Sequence, residues 1–477
     1  MPGNPADGRP TKEFFVKMLV RDISINDAIL DLLDNCLDGV VRIKKEQIKK
    51  WDDLTYYQNY YAKISISDTS FVIEDNCGGI SREIAEKYAF RMGRIPNLLD
   101  ENESLPTVGV YGIGMKRAIF KIGNKAEIST QNKDDAFTVR IDPTWITDPD
   151  DWYLPIEDNP VTKPFDGTRI KVEMLNASIT SKCHNDEALK TFTRELTKAI
   201  RESYSFILKK GFSIYINEDL IEPLPIELLV STVTEQNPDG INPYLFKKEY
   251  DLVQVRLAVG LYSPLKTDEE LEEEIELIRK SDYAGWTVIC NDRVVLYNDK
   301  THLTGWGEAD VPKYHPQFIS ISGVVVFESI DPLTLPMTTT KRGIDLSSSI
   351  YADVKNKMRE GLKLFTNYTN AWKGRLDDEQ EYSSKTEKIS FTDLLNDDDN
   401  IQNKYGLKTY NYNDASISKP SLPKPPKESN HKRILYSKPI DDIKKLEYYF
   451  YKDSASGVTA SKIGEECFDR VLEEAKK

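Results

Sequence analysis

Asp31-Leu-Leu-Asp34-Asn35-Cys-Leu-Asp38 lies inside a run from Ser24 to Val41 whose apolar residues recur every three or four positions. They are Ile25, Ala28, Ile29, Leu32, Leu33, Cys36, Leu37 and Val40, the spacing of an amphipathic helix. Asp31, Asn35 and Asp38 then share one face, while Leu32, Leu33 and Leu37 point towards a core. An Asn flanked by carboxylates offers hard oxygen ligands of the kind Mg²⁺ takes. A capped, solvated helix face has the same pattern, so this helix alone does not decide the chemistry.

Outward from it, helical and strand-like patterns alternate over the first 175 or so residues. Tyr61 to Asp68 and Ser70 to Asp75 read as a pair of strands, Glu127 to Ile141 holds two more, and Gly167 to Met174 alternates cleanly. The mixture fits an α+β fold built as an α/β sandwich. The second strand runs into Ile73-Glu74-Asp75-Asn76-Cys77-Gly78-Gly79-Ile80. A carboxylate there can accept from an exocyclic amine, and the glycines permit positive φ and close backbone approach; an ordinary Asp-Gly turn looks the same. A third segment, Val108-Gly109-Val-Tyr-Gly112-Ile-Gly114-Met115-Lys116-Arg117-Ala118, opens a helical run. Free N–H groups and the helix dipole at such a start favour phosphate oxygens, and Lys116 supplies a cation. The spacing is not that of a P-loop, and Asp100 to Pro106 before it reads as loop, which argues against a Rossmann turn.

With Asp166-Gly167-Thr168, these boxes fall in one domain-sized span and in a fixed order. In that order they resemble the GHKL ATPase superfamily, the group of DNA gyrase, MutL, the large heat-shock chaperone, histidine kinases and MORC proteins. The likeness covers about residues 11–175, and the opening TKEFFVKMLVRDISINDAILDLLDN is similar to that of bacterial ATP-binding proteins within the group. The resemblance implies a Bergerat-type ATP-binding domain over 1–175 with ATP and Mg²⁺ as its ligands. By position, Asn35 matches the magnesium-binding Asn, and Asp75 the Asp that accepts from the adenine amino group, with Thr168 assisting. Gly78 and Gly79 would shape the turn, Gly109, Gly112, Gly114, Met115 and Lys116 would wrap the phosphates, and residues 81–107 would form a mobile lid. Two positions depart from the pattern. Cys77 replaces a glycine, tolerable where φ stays negative. Asp31 stands where gyrase- and MutL-like members carry the Glu that activates water, and it is shorter by one bond, about 1.5 Å. Turnover is therefore expected to be slow.

Residues 176–374 read as a second, transducer-like α+β domain: a helix from about Asn185 to Leu208, a hairpin over Phe212 to Ile221, strands at Leu252 to Tyr262, Trp286 to Tyr297 and Phe318 to Glu328, and a helix from Ser348 to Tyr368. Between these strands, Asp268 to Ile278 reads as a solvated acidic helix. Gly285-Trp-Thr-Val-Ile-Cys-Asn291-Asp-Arg293 resembles the Asn-Gly-Arg hairpin of MutL-like members. Leu335-Pro-Met-Thr-Thr-Thr-Lys341-Arg342 resembles the loop that sends a Lys to the γ-phosphate, which makes Lys341 a catalytic candidate beside Asp31. Residues 375–439, with NDDDN and KPSLPKPPKESNHKR, read as a flexible linker. The Lys-rich part, Lys419 to Arg433, is a solvated stretch that nucleic acid or a partner could also touch. Residues 440–477 form a small helical segment, with a helix over Ala460 to Ala475.

Composition narrows the function. The 477 residues are 39% hydrophobic and 30% charged, with 17 Phe, 25 Tyr and 6 Trp, ample for packed cores. The five cysteines form no C-x-x-C pair, which argues against a zinc finger or a disulfide framework. The net charge of −14 is a poor global match for nucleic acid. No apolar run is long enough for a membrane span or secretory signal, so a cytoplasmic protein is expected. Histidine kinase chemistry would need a phosphoacceptor His ahead of the Asn35 helix, yet His184, His302, His315 and His431 all follow it. A topoisomerase or mismatch-repair role fits the transducer-like segment, but no DNA-cutting domain is read after it. The expected function is an ATP-binding and hydrolysing conformational switch, an ATP-dependent homodimer clamp acting on a protein or DNA partner. The alternative is a regulatory module with little hydrolysis that recruits a partner through its C-terminal tail. By analogy of architecture, stress response, DNA handling and antiviral defence are the cellular roles in view.

Overall fold

Ser24 starts the decisive helix by a reciprocal cap: its Oγ accepts from the Asp27 amide at 3.1 Å, and Asp27 Oδ2 accepts from the Ser24 amide at 3.3 Å. The computed structural model describes residues 11–44, 53–91, 113–133, 135–148, 151–161, 166–234, 238–267, 283–338, 341–395, 404–426, 434, 436–452 and 458–477. They fall in two compact units, 1–425 and 426–477. Gly109, Gly112, residues 92–107 of the expected lid and the acidic run Asp268 to Ile278 lie outside the described residues.

In the first unit, helix α1 (Lys12–Arg21) precedes α2 (Ile25–Ile43), followed by β1 (Tyr61–Ile66), β2 (Ser70–Asp75) and a short α3 (Arg82–Ile84). Then come α4 (Gly114–Ile122), β3 (Gly123–Asn132), β4 (Asp135–Ile141), α5 (Pro143–Thr147), β5 (Ile156–Asp158), β6 (Gly167–Leu175), α6 (Ala177–Cys183), α7 (Asp186–Lys209), β7 (Ser213–Ile216) and β8 (Asp219–Leu220). Among the described residues, eight strands form a sheet ordered β5-β4-β3-β6-β2-β1-β7-β8, antiparallel except where β1 runs parallel to β7. Period-2 alternation gives it one covered face: Ala62, Ile64 and Ile66 of β1 and Phe71 and Ile73 of β2 are buried. Against that face pack α2, α4 and α7, with Leu33, Leu37, Ile119, Leu196 and Ile200 in one core. Burying each such side chain contributes about 1.5–3 kcal/mol.

Next along the chain come β9 (Glu227–Ser231), β10 (Tyr244–Tyr250), β11 (Val253–Leu261), β12 (Gly285–Cys290), β13 (Arg293–Asp299) and β14 (Ile321–Ser329), with β15 (Thr386–Ser390), β16 (Thr409–Tyr412) and β17 (Ala415–Ser418) after them. Among the described residues, seven of these strands form a second sheet ordered β13-β12-β14-β11-β10-β17-β16. Strand β12 pairs parallel with β14, and both are buried on their two faces, so they read as continuous apolar runs. Helix α8 (Ser349–Trp372) covers one face through Tyr351, Val354, Met358 and Phe365; Phe206 of α7 joins the core on the other. The mixed α+β architecture agrees with the sequence reading.

The expected linker over 375–439 is corrected where residues are described. Helix α9 (Leu376–Ser383), β15 (Thr386–Ser390), α10 (Phe391–Leu394), β16 (Thr409–Tyr412) and β17 (Ala415–Ser418) are all formed. Strand β15 pairs with β9, and β17 extends the second sheet beside β10. A few anchors suffice: Phe391, Leu394, Leu395 and Tyr405 are buried, and the Trp372 indole donates to the Pro423 carbonyl at 3.2 Å. Average composition conceals such sparse anchors, because it counts polar residues without asking which apolar ones share a face.

The second unit carries α11 (Ile440–Tyr451) and α12 (Ala460–Ala475), the latter capped by Thr459. Arg470 lies over the Phe450 ring at 4.7 Å and donates to the Tyr449 hydroxyl at 3.1 Å. Among the described residues, no helix is long and apolar enough to cross a membrane.

Candidate functional site

Helix α2 is the axis of the site. Near its middle the Asp31 side chain meets the start of α4, where a Cβ on Gly114 would stand 3.5 Å from Asp31 Cβ. One turn on, the Cys36 thiol lies 3.5 Å from Asp75 Oδ2, at the end of β2. Another turn on, Gly39 touches the chain after β2; a Cβ there would sit 2.3 Å from the Cys77 carbonyl oxygen. The three motifs, far apart in sequence, are thus joined along one helix.

The aspartates of α2 do not line a solvated face. Asp31, Asp34 and Asp38 are buried, and among them Asn35 alone is exposed. An exposed Asn oxygen suits a hard divalent cation, so Asn35 fits a role in holding Mg²⁺. Asp75 fits an amine-bearing base. Its Oδ1 accepts from the Cys77 amide at 2.8 Å and the Thr168 amide at 3.4 Å. Oδ2 is met by the weak thiol donor of Cys36, which leaves acceptor capacity for a stronger donor. Burial pushes the Asp75 carboxyl up, partly opposed by those amide and thiol contacts.

The turn after Asp75 is held in place from β3 and β6. Gly78 and Gly79 have φ of 91° and 66°, while Cys77 keeps a negative φ, which is why a side chain is accommodated there. Thr130, buried in β3, accepts from the Ile80 amide at 2.8 Å and lies 3.1 Å from the Thr168 hydroxyl. A Cβ on Gly79 would stand 2.0 Å from the Gln131 carbonyl oxygen. Gly79→Ala is therefore expected to lower stability by at least about 2 kcal/mol, since the left-handed backbone alone costs 1–2 kcal/mol. A lowered midpoint of urea unfolding checks this; an unchanged midpoint would mean the turn relaxes freely.

At the other end, Met115 packs partly buried against the core, and Lys116 is buried with its Nζ donating to the Ala89 carbonyl at 2.9 Å. Burial pulls the Lys116 ammonium down to about 8. Arg117, next in sequence, donates to Asp31 Oδ2 from Nε at 3.1 Å and also from Nη2. Burial raises the Asp31 carboxyl, an effect that Lys341 and Arg117 only partly offset.

Lys341 comes to α2 from the second sheet's side. Its Nζ donates to Asp34 Oδ2 at 2.7 Å, one residue from Asn35. Arg293, from the start of β13, donates to Asp34 Oδ1 at 3.1 Å and stacks 4.3 Å over the Tyr204 ring; the Tyr204 hydroxyl is 2.7 Å from the same oxygen. Burial works against the Lys341 ammonium, but Asp34, Asp38 and Asp31 outweigh it and hold it above the usual lysine value. Burial likewise opposes the charge of Asp34, and Lys341 and Arg293 together keep it below the usual range. The roles of Asp34, Arg117 and Arg293 were not assigned from sequence. Their only signal was position: Asp34 beside Asn35, Arg117 beside Lys116, Arg293 in the quoted hairpin.

No curated protein matches the chain. Residues 23–170 match a family model, that of the Histidine kinase-, DNA gyrase B-, and HSP90-like ATPase. The matched span holds α2, β2, the turn after it, α4 and Thr168. It supports the GHKL superfamily for this segment, and with it ATP binding and ATP-hydrolysing activity as properties of that domain type.

Proposed function

We propose that the protein binds ATP along α2, hydrolyses it slowly, and uses the nucleotide as a switch for an ATP-dependent homodimer that clamps a protein or DNA partner. The observation that carries this reading is α2 itself, which touches the Asp75 end of β2 and the Gly114 end of α4 while exposing Asn35 between them. In this reading Asp75 Oδ2 accepts from the adenine amine with Thr168 beside it, and Gly78 and Gly79 let the backbone approach the base. Gly109, Gly112, Gly114, Met115 and Lys116 surround the phosphates. Asn35 would hold Mg²⁺, which when bound neutralises phosphate charge. Asp31 takes the proton of the attacking water, and Lys341 exchanges Asp34 for the γ-phosphate. Residues 1–175 then form the nucleotide domain, 176–374 the transducer-like part, and 440–477 a segment that recruits the partner.

One observation favours a second reading, a regulatory module that binds ATP with little turnover. Asp31 is one bond shorter than Glu, and Arg117 already occupies one of its oxygens. Calorimetry with Mg-ATP, alongside phosphate release, separates the two. Wild type should bind, and Asp75→Asn should weaken binding about 10- to 100-fold, the loss of a charged acceptor at about 1.5–3 kcal/mol. Wild type that shows no ATP binding would overturn both readings. Sedimentation with a nonhydrolysable analogue tests the dimer; an unchanged monomer mass would remove the clamp.

A further inference from the structure

We infer that Arg117 is a positioning residue for Asp31, fixing the carboxylate's direction so that a short side chain can serve the attacking water. The inference rests on the reading of Asp31 as the proton acceptor. It begins from how the two side chains meet. Both Nε and Nη2 of Arg117 converge on one oxygen, Asp31 Oδ2. Among the described residues, no hydrogen bond engages Oδ1, and Oδ1 is not among the buried polar atoms left without a partner. One oxygen is therefore pinned and the other is open.

The final torsion of an aspartate is soft, with broad, roughly two-fold preferences, so an unanchored carboxylate samples many directions. A longer Glu could reach the water by extension; Asp31 has no such reach, and direction is what remains to be set. The anchor for that direction is rigid. Arg117 sits in α4, three residues after Gly114, whose backbone lies against the Asp31 side chain. Asp31 is only 6% exposed, so little water competes for the pinned oxygen. The neighbouring cations are committed elsewhere: Lys341 and Arg293 both bond Asp34. Lys341 acts on Asp31 through its charge alone, and among the described residues Arg117 is the side chain that donates hydrogen bonds to it.

The test uses the full chain with Arg117→Ala, Arg117→Lys, Asp31→Asn and the Arg117→Ala/Asp31→Asn double variant. Steady-state phosphate release and ATP affinity by calorimetry are read for each. Because misplacement by about 1 Å costs roughly a hundredfold in rate, Arg117→Ala should lower kcat by about 10- to 100-fold. Its ATP Kd should stay within about threefold of wild type, since direct contact with ATP is not the role. Arg117→Lys keeps the charge but offers a single point donor, so it should restore only part of the rate. In the Asp31→Asn background, Arg117→Ala should cost nothing more. Turnover lost in Asp31→Asn but kept in Arg117→Ala overturns the inference while sparing the role of Asp31. So does a penalty that persists undiminished in the double variant, or one that falls on Kd instead of kcat. Full turnover in Asp31→Asn, or a wild type that binds ATP without turning it over, removes the task of Asp31 and the inference with it. Should Arg117→Ala fail to fold, Arg117→Lys alone decides: wild-type kcat there overturns the directional role.

Discussion

Asp292→Asn is expected to lower the unfolding free energy by about 3–5 kcal/mol, the range for removing one partner of a buried ion pair. Asp292 sits at the tip of the β12–β13 hairpin with none of its side chain exposed. Lys210, the residue just after α7, donates to its Oδ1 at 2.8 Å and is equally buried, and the Tyr57 hydroxyl donates to Oδ2 at 3.1 Å. The backbone explains why a hairpin tip can be driven this deep. Asn291 and Asp292 both take positive φ, 47° and 70°, the geometry of the tight hairpin turn whose twist matches its strands. Asn tolerates that region as readily as Asp, so the substitution leaves the turn intact and removes only the charge. The Lys210 cation then faces a neutral amide in place of a carboxylate in a dry site. Adding Lys210→Met should recover most of the loss, because replacing both partners of such a pair is often close to neutral. Urea unfolding at neutral pH measures both. A loss under about 1 kcal/mol for Asp292→Asn, or a double variant no better than the single, would mean the tip is held by packing and not by the pair. Against a typical total of 5–15 kcal/mol, the expected loss is large enough to read easily.

That hairpin also marks where sequence stops being informative. Local structure was legible wherever the period or the cap was local: Ser24, Asn185, Ser348 and Thr459 each begin a helix whose first turn they cap, and β1, β2 and β6 alternate as written. Strands β9 and β10 were not read, because their burial depends on neighbours, β15 and β11, that lie elsewhere in the chain. The same limit governs the site. The helix of Asn35, the turn at Asp75 and the loop at Gly114 could be quoted from sequence, and their order carried a resemblance. What each aspartate does could not. Asp31 meets Arg117 across 86 positions, and Asp34 meets Arg293 across 259 and Lys341 across 307. Amphipathic spacing put Asp31, Asn35 and Asp38 on one face; only the fold separates the exposed amide from the buried carboxylates. A charged residue in a helix is solvated or paired according to what arrives against it, and no local pattern records the arrival.

Asp31→Asn is the substitution expected to cost the most activity. A positioned general base contributes typically 10²–10⁴-fold, so phosphate release should fall by about that factor. ATP binding should hold within about threefold, because the amide keeps the size of the carboxylate and the groups assigned to the base and the metal, Asp75 and Asn35, are untouched. The burial that raises the Asp31 carboxyl works in favour of this role, since it makes the ionised form a better proton acceptor than a solvent-exposed aspartate. The Lys341 and Arg117 cations oppose the rise and favour the ionised form that a base needs. The same two effects oppose each other at Asp34, and what distinguishes the two carboxylates is which effect wins. At Asp34 two cations win outright and the carboxyl is held low, which makes it a poor base and a firm anchor. Asp34→Asn should therefore damage the seating of Lys341 and Arg293, whereas Asp31→Asn should leave the fold in place and stop the chemistry. A chain in which Asp31→Asn releases phosphate at the wild-type rate would assign the proton to some other acceptor. A chain in which both variants unfold alike would show that the two aspartates serve one structural cluster and that turnover is not their division of labour.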